Sequence, residues 1–90
     1  MRPTLDEISQ RLRERMPEAQ FDIDDDSHRH AGHAGAAGGA GHYRLQIVSP
    51  RFAGLSTVAR HRLVYDCFGD WMPHRIHALS IVARSPDEGA

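Results

Sequence analysis

The sequence predicts a small α+β sandwich, a three-stranded sheet with two helices on one of its faces. Two stretches repeat their apolar residues every three or four positions, as helices do, and three others alternate every second position, as strands do. Size is the third observation. The 90 residues include 25 apolar residues larger than alanine, enough for one two-layer core and too few for two. Two helices cannot cover both faces of three strands, so one face of the sheet is expected to lie open.

The first element is a helix. Thr4 is a suitable N-cap and Glu7, three residues on, completes a capping box. Leu5, Ile8, Leu12 and Met16 then form one apolar stripe, and Pro17 ends the run. From Ala19 the period changes to two, with Ala19, Phe21 and Ile23 alternating with Gln20, Asp22 and Asp24. A second alternating run follows at 42–49, with Tyr43, Leu45 and Ile47 on one face and His42, Arg44 and Gln46 on the other. A long loop, about residues 28–41, separates these strands. Its last eleven residues are five glycines, five alanines and one histidine, which bury too little to become ordered and are expected to be mobile.

Pro50 closes the second strand, and Phe52 with Gly54 makes a compact turn. Ser56 caps a second helix expected to run to about Gly69, with Val58, Leu63, Val64, Cys67 and Phe68 as its apolar members. Pro73 breaks the chain before a last strand at about 76–83, in which His77, Leu79, Ile81 and Ala83 share one face. The expected organisation is a single domain over residues 1–90, in the order α-β-β-α-turn-β.

Composition narrows the function classes. No apolar run approaches the ~18–20 residues that cross a bilayer, and no secretory signal is visible at the N-terminus. The lone Cys67 excludes an internal disulfide and fits a reducing, cytoplasmic setting. Its place on the apolar side of a helix marks an inert, packed thiol. The net charge of −1 excludes a globally basic nucleic-acid binder. Charge is nevertheless segregated: residues 1–28 hold four arginines and eight acids, whereas residues 43–84 hold six arginines and two acids. The second half therefore suits a charged partner. No nucleophile–base arrangement or cofactor motif appears, so an enzyme is not expected.

Seven histidines are the strongest chemical signal, because neutral imidazole ligates zinc, copper, nickel and iron. His28, His30 and His33 lie in the Gly-rich loop, His42 opens the second strand, His61 sits between two arginines on the helix, and His74 and His77 precede and open the last strand. Three ligands on a loop do not make a closed zinc site. His77, in phase with Leu79 and Ile81, is placed at the rim of the core, which by itself describes a structural histidine.

Taken in order, the motifs Asp26-Ser27-His28-Arg29-His30, His42-Tyr43, Ile47-Val48-Ser49, Arg51-Phe52-Ala53-Gly54, Arg60-His61-Arg62-Leu63-Val64-Tyr65, Ile76-His77-Ala78-Leu79 and Ser85-Pro86-Asp87-Glu88 closely resemble the BolA family. The likeness covers residues 4–88, and the combination is far more specific than any one motif. It implies an αββααβ fold like a class II KH domain. It also implies a partner, a monothiol glutaredoxin of the C-G-F-S type, joined in a heterodimer that bridges a [2Fe–2S] cluster. By the same resemblance His77 is a cluster ligand and the second comes from the loop, where His30 matches the S-x-x-H pattern and His33 and His28 are close substitutes. The isolated chain is expected to be an apo monomer.

Two other readings compete. In the first the chain is a DNA-binding transcriptional regulator, with Arg51, Arg60, Arg62 and Arg75 forming a phosphate-contacting patch that could equally face the glutaredoxin. Against DNA, Gly54-Leu55-Ser56-Thr57 lacks the second glycine of the G-x-x-G clamp. In the second the loop histidines chelate zinc or nickel without a partner.

Overall fold

The capping box of the first helix forms as the sequence anticipates. Thr4 Oγ1 accepts from the Glu7 amide at 3.0 Å and Glu7 Oε1 accepts from the Thr4 amide at 2.9 Å, which fixes the start of α1 (Leu5–Arg15). In the computed structural model, which describes residues 2–26 and 41–88, α1 is followed by β1 (Gln20–Asp25), β2 (Gly41–Val48), α2 (Thr57–Asp66) and β3 (Ile76–Arg84). Short 3₁₀ turns occupy Pro50–Phe52 and Pro86–Glu88.

The sheet order is β1-β2-β3, with β1 antiparallel and β3 parallel to β2. A parallel return needs a crossover, and α2 supplies it. Ile8 and Leu12 of α1, its C-cap Met16 and Val64 of α2 close over Tyr43, Leu45, Ile47, Leu79 and Ile81 to make the core. The opposite face carries Gln20, Asp22, Asp24, Arg44, Gln46, Ser80, Val82 and Arg84, all exposed. Alternation along β1 and β2 set this division, and the expected α+β sandwich with one open face is what forms. The element order is compatible with the KH-like arrangement. Among the described residues no helix is long and apolar enough to cross a membrane.

Three expectations need correction. The second helix stops at Asp66 rather than Gly69, and residues 67–75 continue as turns tied by Phe68 N–H to Tyr65 O, Trp71 N–H to Phe68 O and Arg75 N–H to Trp71 O. Val58, counted among the apolar members of that helix, is 66 % exposed. It lies six residues from the buried Val64, about 120° away around the helix, so both cannot face the sheet. The third correction concerns His77, which is exposed and not at the core rim. Its cause is a break in register that also shapes the candidate site.

Candidate functional site

Strict alternation along β3 would put His77 on the same face as Leu79 and Ile81. Gly41, however, pairs with Ile76 and the next residue, His42, pairs with Ala78, so β3 holds one residue more than β2 at this point. The bulge leaves Ile76 and Leu79 in the core while His77 and Ala78, between them, are exposed. The bulge is built on close backbone approach. The Gly41 amide donates to Arg75 O at 2.9 Å, and a Cβ on Gly41 would collide with the Tyr43 ring. That ring is itself fixed, because the buried Tyr43 hydroxyl donates to Pro3 O at 2.6 Å. Burial, with Asp25 next, pushes the Tyr43 pKa up to about 12.

On the open side of this bulge two imidazoles meet. The centroids of the His42 and His77 rings are 5.1 Å apart, with planes inclined at 49°. His42 is 7 % exposed, whereas His77 faces outward. The stem of the long loop leaves from the same end of the sheet, where the Asp26 amide donates to His42 O at 2.7 Å. His28, His30 and His33 lie outside the described residues. Among the described residues no three His, Cys, Asp or Glu side chains gather into a metal site.

The sequence includes His42 in the His42-Tyr43 motif but assigns it no role. Its phase, shared with Arg44 and Gln46, marked it as a solvated strand residue. The one signal that could have found it is its register opposite the Ile76-His77-Ala78 motif, and that register depends on the bulge.

Two of the four arginines, Arg60 and Arg75, stand at opposite ends of β3. Arg75 precedes β3, donates to Glu7 Oε2 at 3.3 Å and lies 4.8 Å from the Trp71 ring centroid. Arg60 reaches the far end of β3, where it donates to Ala83 O at 3.1 Å, to Leu55 O at 3.0 Å and to both Glu88 carboxylate oxygens at 2.6 and 2.9 Å. A nine-residue strand separates the two, about 30 Å of extended chain. Arg51 donates to Arg15 O and pairs loosely with Glu18, while Arg62 is exposed on α2. His61, beside it, is partly exposed.

The pair Arg60–Glu88 closes the C-terminal turn. Arg60, helped by the Ser85 amide, holds the Glu88 carboxyl at about 2. Elsewhere Arg11 lies 4.0 Å over Trp71 and grips Asp70 through two hydrogen bonds, which holds the 67–75 turns against α1. Cys67 is buried there, and burial raises its thiol pKa, in keeping with an inert packed residue.

A family model for BolA-like proteins matches residues 12–88. SufE-like protein 1, chloroplastic/mitochondrial, of Arabidopsis thaliana is 43 % identical over 86 residues, covering 90 % of this chain and 23 % of that protein. Protein BOLA1, chloroplastic, from the same plant is 39 % identical over 84 residues, 90 % of this chain and 52 % of the relative. The UV-induced protein uvi31 of Schizosaccharomyces pombe is 40 % identical over 88 residues, 92 % of this chain and 86 % of the relative. The chain thus spans about a quarter of the first relative and about half of the second. Among solved structures, the BolA domain of SufE1 from Arabidopsis thaliana superposes with a TM-score of 0.78 at 40 % identity, covering 91 % of each chain. BolA1 from the same plant gives 0.79 at 34 % identity, covering 100 % of this chain and 99 % of the other.

Proposed function

The chain belongs to the BolA-like family, and from that premise we propose that it is a non-catalytic interaction protein that docks a monothiol glutaredoxin and shares a [2Fe–2S] cluster with it. The observation that carries this reading is the outward turn of His77. A bulge takes an imidazole that alternation would bury and presents it to solvent at the end of the sheet where the loop begins. A structural histidine has no need of that exposure. A ligand that must meet a metal held partly by another protein does.

The donor set fits such a group. Neutral imidazole suits iron, and histidine in place of thiolate raises the potential of a [2Fe–2S] centre. In this proposal His77 is the strand-held ligand, and His30, with His33 as its substitute, supplies the second from the loop. An anchored donor paired with one on the Gly/Ala-rich loop suits a cluster that is accepted and passed on. The role that follows is iron–sulfur trafficking or iron and redox regulation. The cytoplasmic setting inferred from a lone cysteine belongs to the same proposal, beside relatives named for chloroplasts and mitochondria.

Among the described residues the DNA reading has less support. Arg60 and Arg75 stand at opposite ends of β3 and are tied to Glu88 and Glu7. Phosphate binding would first have to break those pairs.

The test is co-expression of the chain with a monothiol glutaredoxin under anaerobic conditions. A one-to-one coloured complex carrying one cluster is expected, with neither chain coloured to that degree alone. A glutaredoxin that purifies with its cluster and leaves this chain behind would overturn the reading.

A further inference from the structure

We propose that His42 is a positioning residue, whose buried ring holds the exposed imidazole of His77 in one orientation. The inference rests on the reading of His77 as a donor. It goes beyond that reading by assigning a task to a residue that the His42-Tyr43 motif contains but the proposed ligand set does not.

An exposed histidine on a strand has three staggered χ1 wells and a broad χ2, and the bulge at His77 removes the regular cross-strand neighbours that narrow the choice. Among the described residues a ring stands beside it. His42 stands across the strand pair with its ring centroid 5.1 Å from that of His77, within the range at which rings pack on one another. The wall is firm, because His42 is 7 % exposed and its backbone is held on both sides. Its carbonyl accepts from Asp26 N–H, and the preceding Gly41 amide donates to Arg75 O. The residue paired directly opposite His42 is Ala78, whose methyl group leaves the space beside the His42 ring to His77. The arrangement is asymmetric: one ring is buried and fixed, the other exposed and steered by it. A donor already oriented loses less freedom when it meets a metal carried by a partner. Burial also argues against His42 as the donor itself, because an incoming metal reaches His77 first.

The experiment compares wild type, His42→Ala and His42→Phe in two measurements. In the isolated chain, Hα–Hβ scalar couplings of His77 report its χ1 distribution. The wild type should show one dominant rotamer, His42→Ala should show couplings that converge towards an average, and His42→Phe should restore the single rotamer. Amide spectra of wild type and both variants establish that the fold survives. His42→Phe keeps the buried volume, so it remains informative if His42→Ala unfolds. In complex with a monothiol glutaredoxin, His42→Ala should alter the visible circular dichroism bands and accelerate loss of the cluster to a chelator severalfold, with His42→Phe close to wild type.

Unchanged couplings in His42→Ala would overturn the proposal. So would a His42→Phe variant with a fixed His77 rotamer but no cluster spectrum, since His42 would then act through its nitrogens. If the wild type forms no cluster complex, the proposed function fails while the couplings still decide the positioning role.

Discussion

The two ends of β3 are built on opposite principles. At its C-terminal end a network of polar groups is matched within the chain: Arg60 binds two backbone carbonyls and both oxygens of Glu88, the Ser85 amide donates to the same carboxylate, and the Ser85 hydroxyl donates to Asp87. At its N-terminal end the regular pairing is interrupted, and an imidazole is turned outward over a buried one. The first end is closed upon itself and serves the fold. The second departs from local regularity, which is where function is expected to reside. Abundant arginine in the second half therefore says less about partners than one displaced histidine does.

Substitutions at the two ends separate these roles. The largest expected effect is at the bulge. Gly41→Ala places a methyl group against the Tyr43 ring, which is pinned by its hydrogen bond to Pro3, and overpacking of this kind costs about 1–3 kcal/mol. Chemical denaturation should show this as a lower midpoint at unchanged slope. An unchanged midpoint would mean that the bulge is soft. Next comes Arg60→Ala, which strips Ala83 O, Leu55 O and Glu88 of their donor and should lower the thermal midpoint clearly. Arg62→Ala, on the exposed side of the same helix, serves as its control and should fall within about 0.5 kcal/mol of wild type.

The ends should also loosen at opposite extremes of pH. The Glu88 pKa is lowered in the folded chain from 4.5 to about 2, so its contribution to stability is fully present above about 4.5 and is lost as pH falls towards 2. The difference in thermal midpoint between wild type and Glu88→Gln should therefore close over that window. A difference that persists at pH 2 would contradict the pairing. Tyr43 is the converse case. Its pKa is raised from 10.0 to about 12, so the buried hydroxyl stabilises the fold below pH 10 and ceases to do so as pH rises towards 12. Tyr43→Phe should remove that alkaline step and leave the acid one.

Much of the fold was legible in the sequence, because capping and alternation are local. Thr4 and Glu7 are three residues apart, and Tyr43, Leu45 and Ile47 show their face within a single strand. The site was less legible, because it depends on a register between segments more than thirty residues apart. Alternation assigned His77 to the core side, and only the extra residue opposite Gly41–His42 reverses that. His42 was assigned no role for the same reason. Arg60 was grouped with Arg51, Arg62 and Arg75 by charge alone, since nothing local reveals that a glutamate 28 residues away will occupy it. Family motifs pointed to His77 where periodicity misplaced it.

On the proposed reading His77 acts outward and contributes little to the fold. The most direct test is visible circular dichroism of the anaerobic complex with a monothiol glutaredoxin, comparing His77→Ala with Arg60→Ala at equal iron. His77→Ala is expected to keep wild-type stability, within about 0.5 kcal/mol, but to lose the bands distinctive of the mixed complex. Arg60→Ala should be less stable yet retain those bands. An intact spectrum in His77→Ala, or its loss only in Arg60→Ala, would rule out His77 as the outward ligand.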